Sequence, residues 1–135
     1  MNRIVTVMLI VVSVIHLLPV SGVLSAEQLS VLYGLSFEEP NIEILMRHRS
    51  VLFGILGVFL LFSAFKPKFH IYALIAASVS VISFLYIAWS VGGYNAQLGR
   101  VYRVDVIALL CLVVAFVAYL VPKVKRNNRG VGSGA

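Results

Sequence analysis

Four apolar runs recur along this chain, each close to the twenty or so residues that a helix rising 1.5 Å per residue needs to cross a hydrocarbon core of roughly 30 Å. They cover about residues 4–23, 41–65, 69–91 and 98–121. The sequence therefore predicts an all-α membrane protein: an antiparallel four-helix transmembrane bundle with a short amphipathic helix in the first outer loop. Residues 1–122 form the four-span domain, and residues 123–135 a basic, flexible cytoplasmic tail. Composition excludes the other classes. Of 135 residues 61% are hydrophobic and 12% charged, whereas about a quarter of a soluble domain is charged. A disordered chain would not carry this much Leu, Ile, Val and Phe.

Local signals punctuate the runs. Asn41 after Pro40 is an expected N-cap, Lys66-Pro67-Lys68 separates the second run from the third, Gly92-Gly93 ends the third, and Pro122 closes the fourth. The first run resembles a secretory signal, but its apolar core extends from Ile4 to about Val20, and Leu24 stands where a small residue is preferred before an exit at Ala26. It is read as a span.

The net charge of +6 is read as topology. Seven bases (Arg3, Lys66, Lys68, Lys123, Lys125, Arg126, Arg129) fall on one side of the membrane, and four (Arg47, Arg49, Arg100, Arg103) on the other. The positive-inside rule then places both termini and the 66–68 turn in the cytoplasm. All five acids, Glu27, Glu38, Glu39, Glu43 and Asp105, lie on the outer side. Aromatic residues mark the two interfaces: Phe65, Phe69 and Tyr72 inside, and Trp89, Tyr94 and Tyr102 outside.

The loop from Gly22 to Pro40 carries its own helix signals. Ser25 to Gln28 fits a capping box, Leu24 and Leu29 have the spacing of a hydrophobic staple, and Leu29, Leu32 and Tyr33 share a face before Gly34 stops the helix. Such a helix lies on the outer surface or over the bundle mouth, as a cover or a lid.

Ionisable residues within spans are costly and point to function. At about 100° per residue, Glu43, Arg47, Ser50, Gly54 and Gly57 form one stripe of the second span, while His48 and Arg49 point in two other directions. Glu43 and Arg47 can pair at i, i+4, and the small residues below them admit a neighbouring helix. Thr6, Ser13 and His16 share a face of the first span. Asp105 lies about 160° from Arg103 on the same helix, so it needs a partner on another helix, with Arg47 the foremost candidate.

The candidate ligand-binding set is therefore His16, Glu43, Arg47, Arg100, Arg103 and Asp105, of which His16, Glu43, Arg47, Arg100 and Asp105 are expected to converge on a polar pocket in the outer half of the bundle. The alternative is that the arginines snorkel to lipid phosphates while the two acids neutralise them. Phosphate loops, dinucleotide fingerprints, paired cysteines and zinc motifs are absent from the sequence; Cys111 stands alone in an apolar run. A metal or bis-His haem would need His16 to meet His48.

The segments Leu32-Tyr33-Gly34-Leu35, Pro40-Asn41, Leu45-Met46-Arg47-His48-Arg49 with Val51-Leu52-Phe53-Gly54, and Trp89-Ser90-Val91-Gly92-Gly93-Tyr94-Asn95 resemble a family of small bacterial four-span inner-membrane proteins. Members often carry the name phosphopantetheine adenylyltransferase. Soluble enzymes of that name resemble a Rossmann-like fold with a His-x-Gly-His nucleotide motif, in which none of His16, His48 and His70 stands here. The resemblance thus implies an inner-membrane protein without an assigned activity.

Taken together, the residues point to a non-enzymatic multi-pass protein whose outer arginine and carboxylate rim binds an anionic lipid headgroup, a small anion or a partner protein. A redox or metal subunit using His16 and His48, and a proton-linked transporter protomer using His16 or Asp105, are the alternatives. No cofactor is expected. The expected partners are the lipid bilayer, including anionic lipid, and either a second copy of the chain or another membrane protein, but no nucleic acid.

Overall fold

The computed structural model describes residues 2–131, with side chains described through Pro122. All regular structure among them is helical. Helix α1 spans Arg3–Leu17 and tightens into a 3₁₀ segment over Leu18–Val23; α2 spans Ala26–Tyr33, α3 Pro40–Ala64, α4 His70–Val91 and α5 Ala96–Val131. A short 3₁₀ turn, Pro67–Phe69, links α3 to α4.

Four of these segments, Arg3–Val23, Pro40–Ala64, Pro67–Val91 and Ala96–Pro122, are long and apolar enough to cross a membrane. They form an antiparallel bundle in which α1 packs on α3 and α5, and α4 closes the ring against those same two helices. The core is built from Val5, Leu9, Val12, Leu60, Leu74, Val81 and Leu112, with alanines 73, 77, 108 and 115 buried between them. Outward-facing residues such as Val14, Ile55, Val79 and Leu110 are more than half exposed, as lipid-facing positions are.

The helix ends follow from local chemistry. Ser25 Oγ accepts from the Gln28 N–H at 3.2 Å, and Gly34 ends α2 in the left-handed conformation at φ 67°. At α3 the cap differs from the expected Asn41: Glu39 occupies that place, its carboxylate accepting from the Asn41 and Ile42 N–H groups. Pro40 then takes the first helical position, where its missing N–H removes no helical bond. Pro19 has the opposite effect within the first span. It cannot donate to the carbonyl of Ile15, and the backbone leaves α geometry at Leu17.

Pro122 does not end the α5 helix. The α5 backbone stays helical past it to Val131, over residues where a flexible tail is expected, and the Gly/Ser end of that tail, 132–135, lies outside the described residues. The carbonyl that Pro122 leaves without a donor belongs to Ala118, and the Asn2 side-chain amide donates to it.

The small-residue stripe of α3 faces α1 as expected. Ser13 Oγ donates to the Gly57 carbonyl at 2.8 Å, and a Cβ at Gly57 would meet Leu17 at 2.7 Å. Helix α2 covers one end of the bundle, where Leu29, Tyr33 and Phe37 form a second buried cluster against Met46, Leu98 and Val101. Asn95 ties this cover down. Its Oδ1 accepts from the Leu98 N–H at 2.8 Å at the start of α5, and its Nδ2 donates to the carbonyls of Tyr33 at 2.8 Å and Gly34 at 3.3 Å.

Candidate functional site

Beneath α2 lies a cavity of about 260 Å³. Its wall is shared by Ile15, His16, Leu18 and Pro19 of the first span, Val31, Leu32 and Tyr33 of α2, Arg49 and Phe53 of α3, and Gln97, Arg100, Val101, Val104 and Asp105 of α5. Leu18, Val31 and Arg100 are exposed, which puts the mouth between the first span, α2 and α5.

Arg49 is the central charged group. Its guanidinium sits 5.0 Å from the Phe53 ring centroid, 5.6 Å from that of Tyr33 and 5.7 Å from that of Phe84. These rings attract the cation through their quadrupoles while keeping water off much of it. The only ion pair within 4.0 Å among the described residues lies elsewhere, between Arg47 and Glu43, so neither Arg49 nor Arg100 has a carboxylate in direct contact. Asp105 acts on this cluster through its field. Burial raises the Tyr33 phenol above its ordinary pKa; the nearby Arg49 charge lowers it and that of Asp105 raises it.

His16 forms the apolar end of the wall and is 2% exposed. Its Nδ1–H donates to the Val12 carbonyl at 2.9 Å, and Nε2 lies within hydrogen-bond distance of Ser80 Oγ at 3.2 Å. The ring lies 5.7 Å from that of Phe53, which separates it from Arg49.

Three of the six expected residues, His16, Arg100 and Asp105, come together in this wall. Arg47 and Glu43 do not. Arg47 Nε donates to the Val23 carbonyl at 2.9 Å and Nη1 to Glu43 Oε1 at 3.2 Å, on the flank of α3 that the 3₁₀ segment covers. The cross-helix charge facing Asp105 is therefore Arg49. Arg103 is exposed and lines no part of the cavity, since α5 turns it away from Asp105. His48 is likewise exposed, which separates it from buried His16, and no cluster of three or more His, Cys, Asp or Glu side chains fit to hold a metal occurs among the described residues.

Arg49 is the residue that sequence reasoning passes over, and a signal for it exists. It heads the stripe Phe53, Leu56 and Leu60 at i+4, i+7 and i+11, the side of α3 that enters the core. Comparison with protein-family models, with curated proteins and with solved structures finds no match.

Proposed function

We propose that this small multi-pass membrane protein binds a small molecule bearing an anionic group in the cavity beneath α2. One observation carries the reading: two arginines from different helices, Arg49 and Arg100, line one largely apolar cavity with no carboxylate of the described residues within 4.0 Å of either. A guanidinium fork held by aromatic rings is already ordered and partly desolvated, so a carboxylate or phosphate oxygen reaching it gains a charge-assisted, bidentate bond. The single acid in the wall, Asp105, leaves the site with a surplus of positive charge. The uneven distribution of bases along the chain supports an outer placement of the α2 end, and from that side the ligand would reach the cavity.

Native mass spectrometry of the full chain released from its membranes tests this. A bound anionic species is expected in the parent protein and in Arg47→Ala, whose side chain is engaged outside the cavity. It should be lost in Arg49→Gln and Arg100→Gln. Equal retention in all four proteins, or in none, counts against the reading.

A further inference from the structure

We infer that the ligand of this cavity is a compact apolar monocarboxylate. The inference rests on the anion reading above and narrows it by charge, by wall chemistry and by size.

Charge comes first. Two guanidinium groups against the Asp105 carboxylate give the wall a surplus of one positive unit. One negative charge balances that surplus. A second would lie in a cavity that already holds a carboxylate, where like charges repel at low effective dielectric.

Wall chemistry sets the body of the ligand. The wall carries the Tyr33 phenol and the Gln97 amide beside its charged residues, but its larger part is apolar, with Ile15, Leu32, Val101 and Val104 among its aliphatic side chains. A sugar or a phosphorylated polyol would set several of its hydroxyl groups against these apolar surfaces, at the full cost of desolvating each one left unpaired. A hydrocarbon body gains there what the hydroxyl groups would lose.

Size sets the limit. A cavity of about 260 Å³ accommodates an aromatic or branched short-chain acid, and it is too small to enclose the paired acyl chains of a phospholipid. With the carboxylate on Arg49, the body lies against Phe53 and the aliphatic wall, and Arg100 closes the mouth above it.

Benzoate is the probe, because it has the stated charge and size. Equilibrium dialysis would compare radiolabelled benzoate, benzyl alcohol, phthalate and inorganic phosphate against nanodiscs holding the full chain, with empty nanodiscs subtracted. Saturable benzoate binding at least tenfold tighter than that of the other three, weakened tenfold or more by Arg100→Gln at the exposed mouth, is expected. Arg49→Gln should weaken it further, and Arg47→Ala should leave it unchanged. If phosphate or phthalate binds more tightly than benzoate and depends on Arg100, the monocarboxylate class falls while the anion reading stands. Benzyl alcohol binding as well as benzoate, with no effect of either arginine, overturns both. Absence of saturable benzoate binding overturns the class, and the anion reading is then judged by the phosphate arm.

Discussion

The side-chain amide of Asn2 donates to the carbonyl of Ala118, the acceptor whose helical partner would be the N–H that Pro122 lacks. Through its Oδ1 the same side chain caps α1, accepting from Ile4 N–H at 3.1 Å and Val5 N–H at 3.5 Å. Asn95 repeats the device at the opposite end of the bundle, capping α5 with its oxygen and holding the last carbonyls of α2 with its nitrogen. Asn suits both places because it alone pairs a short acceptor with a donor on one planar group. Each end of the bundle is thereby closed by one amide that satisfies two helices.

A double-mutant cycle checks the Asn2 relationship. Asn2→Asp keeps the capping oxygen and removes the donor, so the Ala118 carbonyl loses its partner at a cost of about 1–3 kcal/mol. Pro122→Ala restores a backbone N–H to that carbonyl. The Asn2→Asp penalty, measured by reversible unfolding in mixed micelles, should therefore shrink in the Pro122→Ala background. Strict additivity would mean that the two residues do not share the acceptor.

Two glycines in the spans should respond with opposite signs. At Gly57 an added Cβ meets Leu17 at 2.7 Å and the Ser13 carbonyl at 3.3 Å, where α1 packs on α3. Gly57→Ala should cost about 1–3 kcal/mol by overpacking that contact, despite the better helix propensity of alanine. At Gly99 the new Cβ would rest 3.7 Å from the Tyr94 ring, an ordinary contact. Gly99→Ala should be neutral or stabilise by up to about 1 kcal/mol. Unfolding curves of the two variants beside the parent decide both signs.

How much of this was legible in the sequence depended on whether one helix sufficed to define the feature. Span length, the Ser25 cap and the Gly34 stop are properties of single segments, and the structure has them where the residues predict. The small stripe of α3 was legible for the same reason. The site was legible only in half, because it depends on how α3 is rotated against its neighbours. Angles around α3 place Arg47 and Arg49 about 200° apart, and each heads a face fit for packing, small residues below Arg47 and the Phe53, Leu56 and Leu60 stripe below Arg49, so α3 taken alone does not say which helix each face meets. Packing of Ser50 and Gly57 against the first span decides it, sending Arg47 to the Val23 carbonyl and Arg49 among the aromatic rings. Glu39 capping α3 in place of Asn41 has a different cause. Both residues are competent caps, and the carboxylate reaches two N–H groups at once.

That carboxylate makes the start of α3 sensitive to acid. Hydrogen bonds from the Asn41 and Ile42 backbone N–H groups hold the Glu39 pKa below its ordinary value of 4.5. A group whose pKa falls on folding stabilises the fold above its unfolded pKa, and the contribution disappears as pH drops through the folded value. Amide exchange at Asn41 and Ile42, referred to the intrinsic rate at each pH, should lose protection below about pH 4.5. Glu39→Gln should remove this pH dependence. A protection step that persists in Glu39→Gln would assign it to another group.

The last prediction reads out the electrostatics of the cavity without any ligand. Tyr33 feels both the Arg49 and the Asp105 charge, its phenol held above its ordinary pKa of 10.0 chiefly by burial. Asp105 opposes formation of the tyrosinate and Arg49 favours it, so the two substitutions must shift the titration in opposite directions. Asp105→Asn should bring the Tyr33 pKa down towards 10.0, and Arg49→Gln should push it higher. The chain has six tyrosines, so the signal is isolated by ring-labelled NMR and assigned by its loss in Tyr33→Phe. Arg47→Ala and Arg103→Gln serve as controls, because those side chains lie outside the cavity wall. If Arg47→Ala moved the titration as far as Arg49→Gln, the charge facing α5 would be Arg47 and the site would have to be redrawn around it. Opposite shifts from Asp105→Asn and Arg49→Gln, with Arg47→Ala and Arg103→Gln silent, would place both charges at the Tyr33 ring in the membrane-embedded protein.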